Sequence, residues 1–258
     1  MTLSIAVHLD YELTRPMDIL LQLEAAQIPE QQVESQTLDL SPCEHVASVA
    51  AQDGVGERIW VRAENRLIVD YRATVAINRI LTPCGTLDRV PLHQLPGETV
   101  QYLMPSRYCP ADRFHDFVDG TFAGLEGGAM VVAMRDWIHD HLRYVPGSSN
   151  SDTTAADSFI MRKGVCRDYA HLLITFARAE GIPARIASVY ALGVDPPDFH
   201  AVAEVFLGGE WHLVDPTGMA READMVKIGV GRDAADVAFL TAFGEVKFNA
   251  QSVTVERA

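Results

Sequence analysis

A turn that opens directly into a long amphipathic helix, with a cysteine as the first helical residue, constrains this chain more than any other stretch. Arg162-Lys163-Gly164 supplies the turn. Cys166 to Glu180 carries the helical period up to Gly181-Ile182-Pro183, a stop signal with glycine at C′ and proline just beyond. A thiol at a helix start faces unpaired backbone N–H groups and the positive end of the dipole, a setting that favours negative charge. Negatively charged sulfur is the nucleophilic form. Downstream, His200 falls on one predicted strand and Asp215 at the end of the next. Nucleophile, base and orienting carboxylate in that order predict acyl transfer on a cysteine.

The segment carrying His200 and Asp215 permits a test of geometry. Three strands are predicted after the helix, Ala184–Tyr190, Phe199–Phe206 and Trp211–Asp215. Gly208-Gly209 is a two-residue turn signal. A turn centred there sets Val202 opposite Asp215 and brings His200 to the same face, one diagonal step away. A three-residue loop would reverse the parity and separate them. In the first register Asp215 accepts from one ring nitrogen of His200, and the other nitrogen meets Cys166 and shuttles its proton.

The first hundred residues read as β. Leu3, Ile5, Val7 and Leu9 alternate with polar or small residues, and so do Leu67, Val69, Tyr71, Ala73, Val75 and Ile77. Arg58–Ala63 precedes the second run across Glu64-Asn65, which predicts a hairpin within a small antiparallel sandwich. Residues 91–128 form a Pro-, Gly- and Asp-rich connection with short helical pieces. Met130, Val131, Met134, Trp137, Ile138 and Leu142 then make one helical stripe. Thr154 and Asp157 fit a capping box for a short helix ending before Gly164. The organisation expected is a β-rich module over 1–95, a catalytic core over 96–220 and an extension over 221–258 that packs on the core.

Composition excludes some classes of partner. The 258 residues carry a net charge of −14, which argues against nucleic acid or an anionic membrane as the main partner. No apolar run is long enough to span a bilayer, and Met1–Ile5 lacks the basic and apolar regions of a signal peptide. The four cysteines stand far apart without metal-like spacing, so a reducing cytoplasm is the expected compartment and no cofactor is expected. His139-Asp140-His141 is not expected to hold a metal, because i and i+2 diverge on a helix. Gly229-Val230-Gly231-Arg232-Asp233 lacks the lysine of a phosphate loop and reads as a turn.

Four blocks carry a resemblance to a known family: Gly164-Val165-Cys166-Arg167-Asp168-Tyr169-Ala170-His171, Gly181-Ile182-Pro183-Ala184-Arg185, Phe199-His200-Ala201-Val202-Ala203-Glu204-Val205, and Trp211-His212-Leu213-Val214-Asp215-Pro216-Thr217. In order and type they resemble the core of the transglutaminase-like superfamily, thiol enzymes of papain-like chemistry. The resemblance covers roughly residues 95–220, and the β-rich start is similar to the module that precedes this core in bacterial members. It implies an α+β fold, a Cys-bearing helix packed on an antiparallel sheet after a β-sandwich-like domain. It also implies the roles of nucleophile, base and orienting acid for Cys166, His200 and Asp215. Gly218 departs from the family, where many relatives have asparagine after Asp-Pro-Thr.

The activities implied are hydrolysis of a peptide, protein or other amide substrate, or transfer of its acyl group to an amine; hydrolysis is the preferred expectation. An acetyl-coenzyme-A-dependent arylamine acetyltransferase uses the same three residues, and some relatives keep the fold as a binding module after losing one. The oxyanion is expected at the backbone N–H of Cys166, with Tyr144, at the end of the preceding helix, as a second donor. Asp168 is read as a first-turn acid that stabilises the helix. His171 lies about 140° around the helix from Cys166 and is expected to pack or cap.

Overall fold

Alternation of apolar and polar residues at the start of the chain produces six strands: β1 (Thr2–Leu13), β2 (Met17–Leu21), β3 (Gln31–Leu40), β4 (His45–Ala50), β5 (Glu57–Ala63) and β6 (Arg66–Ile77). After a run of short 3-10 turns come α1 (His115–Thr121), α2 (Gly127–His141), β7 (Arg143–Tyr144), α3 (Ala155–Met161), β8 (Lys163–Gly164) and α4 (Cys166–Ala179). The chain closes with β9 (Ala184–Ala191), β10 (His200–Leu207), β11 (Glu210–Val214), β12 (Met225–Gly231), β13 (Leu240–Ala242) and β14 (Val246–Arg257). The computed structural model describes residues 1–258, and the fold is α+β. No helix is long and apolar enough to cross a membrane.

Two four-stranded antiparallel sheets, β14-β1-β6-β3 and β13-β2-β5-β4, share a core that includes Leu3, Ile5, Ile19, Val61, Leu67 and Tyr71. The expected hairpin across Glu64-Asn65 does not form. β5 pairs with β2 and β4, while β6 pairs with β1 and β3, so the turn carries the chain from one sheet to the other. A two-residue hairpin of type I′ requires positive φ at both central residues, and only Asn65 has it, at 59°. Ala63 and Leu67 on either side of the turn both sit fully buried between the sheets.

The segment 221–258 also departs from expectation. It does not pack on the core as a unit. β12 joins the core sheet, but β13 pairs with β2 and β14 with β1, so the chain returns to complete the N-terminal sheets. Without β14 the long strand β1 would be an open edge, which sheets avoid exposing. Gly229 and Gly231, read as part of a turn, lie within β12.

The core sheet has the order β11-β10-β9-β12, with α4 laid across it. Leu172, Leu173 and Phe176 of α4 pack on Ile186, Ala203 and Val205 in one buried cluster. Burial of each such side chain contributes about 1.5–3 kcal/mol. Toward the end of β9 and along β12 the sheet meets the sandwich, where Tyr190, Val226 and Ile228 join the sandwich core. A buried ion network crosses the same junction. Arg185 donates to Glu204 at 2.7 Å and to Asp53 at 2.8 Å, and Lys227 pairs with both Glu204 and Glu30. Burial alone would raise the Glu204 pKa, but Lys227 and Arg185 outweigh it and hold it at about 2.

Candidate active site

Local chemistry explains why Cys166 begins α4. Asp168 accepts from the N–H of Val165 at 2.7 Å, satisfying a donor at the helix entry. A Cβ on Gly164 would lie 2.6 Å from the Cβ of Asp168, so only glycine lets the turn pass this close to the capping acid. Asp168 is 1 % exposed and holds the turn. Beside it, the Arg167 guanidinium donates to the carbonyl of Asn150 at 2.8 Å and to Ser149 Oγ at 3.3 Å. The cysteine itself is unbonded to another sulfur and partly exposed.

The β10–β11 pairing has the two-residue register: Ala203 opposes Val214, Glu204 opposes Leu213 and Leu207 opposes Glu210. Asp215 follows immediately, and His200 Nε2–H donates to its Oδ2 at 3.0 Å. The carboxylate is held on all sides. Thr217 donates to Oδ1 from its N–H at 2.8 Å and its hydroxyl at 2.7 Å, and the Ala220 N–H reaches Oδ2 at 3.0 Å. An aspartate followed two residues later by threonine is a side-chain turn signature, so Thr217 was legible as the partner of Asp215 and was missed. Gly218 has φ +72°, a region that glycine and asparagine tolerate, which accommodates the departure from the family pattern.

His200 is 1 % exposed. Its Nδ1 is buried with no hydrogen-bond partner, and the Cys166 thiol is a neighbour of the ring. Burial acts to lower the His200 pKa, but the hydrogen bond to Asp215 and the influence of the neighbouring Cys166 sulfur and Asp215 charge outweigh it and raise it to about 9. Burial likewise opposes ionisation of Asp215, yet His200 and Thr217 bring its pKa below the ordinary carboxylate value.

Tyr144 is not at a helix end. Leu142 turns extended, with φ −108° and ψ 146°, and Tyr144 lies on β7, paired with Gly164 of β8. That pairing makes the Tyr144 hydroxyl a neighbour of Cys166, and burial followed by the sulfur's charge pushes its pKa up. His171 is elsewhere. It is fully buried, its Nε2 accepts from the Ala234 N–H at 3.1 Å, and its ring stacks on Tyr108. The structure therefore brings Cys166, His200, Asp215 and Tyr144 together and leaves His171 out.

This helix-start cysteine facing a histidine on an antiparallel sheet defines a class, and comparison with known proteins agrees. The profile of the transglutaminase-like superfamily matches residues 120–216. A crystal structure from Cytophaga hutchinsonii, provisionally named a cysteine protease, is 32 % identical with a TM-score of 0.93, covering 100 % of this chain and 90 % of that one. The chain belongs to the transglutaminase-like superfamily, a family of cysteine-dependent enzymes. An uncharacterised protein of Mycobacterium leprae is 32 % identical over 148 residues, 54 % of this chain and 53 % of that protein. One from Mycobacterium tuberculosis (strain H37Rv) is 33 % identical over 127 residues, 42 % of this chain and 40 % of that protein. The chain thus spans about half the length, or less, of these curated relatives.

Proposed function

We propose that this protein is a cysteine-dependent amide hydrolase in which Cys166, His200 and Asp215 form a catalytic triad. The observation that carries the reading is the alignment of one imidazole between a helix-start thiol and a carboxylate, with Nε2 donating to Asp215 at 3.0 Å and Nδ1 left for the sulfur. Cys166 attacks the carbonyl carbon of an amide as a thiolate, with the proton on His200. A tetrahedral oxyanion forms, His200 gives its proton to the leaving nitrogen, the C–N bond breaks, and an acyl thioester remains. Water then attacks the thioester with His200 taking its proton, and the acid leaves as the thiol is restored.

The oxyanion is assigned to the Cys166 N–H and to the hydroxyl of its neighbour Tyr144, since donors fixed before reaction are the main source of stabilisation in such sites. Peptide, protein and simple amide libraries incubated with wild type and Cys166→Ala test the reading. The expected result is Cys166-dependent release of an amine and a trapped acyl adduct on the Cys166 peptide by mass spectrometry. Turnover that survives Cys166→Ala would overturn it. Hydroxylamine, added in competition with water, reads whether an amine also resolves the thioester.

A further inference from the structure

The eight residues before His200, Leu192-Gly193-Val194-Asp195-Pro196-Pro197-Asp198-Phe199, join β9 to β10. Between Gly193 and Phe199 no backbone N–H donates to a backbone carbonyl. Besides Tyr190 of β9, whose ring centroid lies 5.7 Å from that of Phe199, what holds this segment comes from the chain's last strands and their approach. Phe199 stacks on Phe239 with ring centroids 4.3 Å apart and 6° between planes. Gln251 of β14 donates from Nε2 to Asp198 Oδ1 at 2.6 Å, and the Phe199 N–H reaches the same oxygen at 2.8 Å. The sandwich therefore pins an exposed carboxylate two residues from the base.

The charges near the nucleophile are unequally committed. Arg167, next to Cys166 in sequence, is turned away onto Ser149, Asn150 and Asp168. Asp198 has no cationic partner within 4.0 Å, and its Oδ2 accepts no hydrogen bond. Its charge is felt at the Tyr144 hydroxyl, which itself borders the Cys166 sulfur. An anion held two residues from the base, with no cationic partner of its own, favours a cation nearby and disfavours an anion.

We infer that Asp198, presented by Gln251 and the Phe199–Phe239 stack, is a specificity-determining residue that selects substrates bearing a cationic group, a lysine or arginine side chain or a free ammonium, close to the bond attacked by Cys166. This rests on the reading of Cys166 as the nucleophile. It also gives the β-rich module a part in substrate choice that its own lack of catalytic groups conceals.

Two arms separate this inference from that reading. In the first, Cys166 of the full chain is modified with trimethylammonium-ethyl and with sulfonatoethyl methanethiosulfonate, and the labelled peptide is followed by mass spectrometry. Normalised to free glutathione, the cation-to-anion rate ratio is expected to exceed one. Asp198→Asn should lower it about three- to tenfold, as a single charge acting through partly exposed protein and salt would, while Asp195→Asn should not. An unchanged ratio in Asp198→Asn, or an equal fall in Asp195→Asn, overturns the inference. In the second arm, paired amides carrying lysine or norleucine beside the scissile bond are compared by kcat/KM. A lysine preference that collapses in Asp198→Asn supports it, and turnover of both amides without preference overturns it while leaving the hydrolase reading intact. A shifted reagent ratio with no turnover of either amide supports charge selection and counts against hydrolysis.

Discussion

Two histidines in this molecule are equally sealed from water, His171 at 0 % and His200 at 1 % exposed, yet they are held in opposite states. Around His171, burial is the dominant influence and takes the pKa to about 3. Asp233 opposes that, and Arg167 and Arg178 reinforce it. The Ala234 N–H donates to its Nε2, which requires that nitrogen unprotonated. Around His200 burial works in the same direction, but a carboxylate at 3.0 Å and the Cys166 sulfur reverse it and take the pKa to about 9. Burial sets the default for an imidazole, and a placed acceptor overrides it. The histidine closer in sequence to Cys166 is the inert one, because five helical positions turn it away from the sulfur.

Deletion separates the two histidines most sharply. His200→Ala and Cys166→Ala should each lower kcat on the order of 10³-fold or more, whereas His171→Phe, which keeps an apolar ring on Tyr108, should leave turnover near wild type. Steady-state kinetics on a substrate drawn from the amide library, with circular dichroism as the folding control, decides this. A large loss in folded His171→Phe would erase the distinction drawn above.

Asp215→Asn has the next largest effect, because asparagine keeps the shape and removes the charge. A deficit on the order of 10²-fold is expected in kcat, with KM little changed. His200 keeps its proton up to about 9, so the step that protonates the leaving amine should fail as pH rises above that value. In Asp215→Asn the alkaline limb should move down toward 6.5, the ordinary value for the ring. A pH–rate profile that does not move would return Asp215 to the turn alone.

Smaller effects follow in reactivity and stability. Iodoacetamide at mildly acidic pH should label Cys166 at least about tenfold faster than the other thiols, because burial raises Cys43, holds Cys84 at about 11 and Cys109 at about 12. Peptide mass spectrometry over time reads the order, and prior labelling of Cys84 would contradict it. In stability the two rings act in opposite pH windows. His200, raised in the folded state, contributes stability fully below 6.5 and loses it as pH rises to about 9. His171, lowered, contributes fully above 6.5 and loses it as pH falls toward 3. Denaturant titrations across pH should show the alkaline slope reduced in His200→Ala and the acid slope reduced in His171→Phe.

Much of the candidate site was legible because it is written in short-range chemistry. The stop signal at Gly181-Ile182-Pro183 ends α4, and the capping box at Thr154 and Asp157 starts α3, with hydrogen bonds of 2.9 Å and 3.3 Å. The Gly208-Gly209 turn sets the register that carries His200 to Asp215. Each depends on residues a few positions apart, whose dihedral preferences are local properties. Placement of Tyr144 was not legible, since it depends on a two-residue parallel pairing between segments that only meet once α2 and α4 have packed.

What the tertiary structure alone decided is the partnership of surfaces distant in sequence. A period-two run announces a strand and its buried face, but not which neighbour takes its edge. Thus β5 and β6 read as a hairpin and are in different sheets, and residues 221–258 read as an extension packing on the core, whereas β13 and β14 close the sandwich. The pinning of Asp198 by Gln251 and of Phe199 by Phe239 follows from that closure. Turn and helix chemistry is determined by bonded neighbours, whereas edge pairing is determined by which backbone donors and acceptors remain unsatisfied after everything else has packed, and only the whole fold answers that.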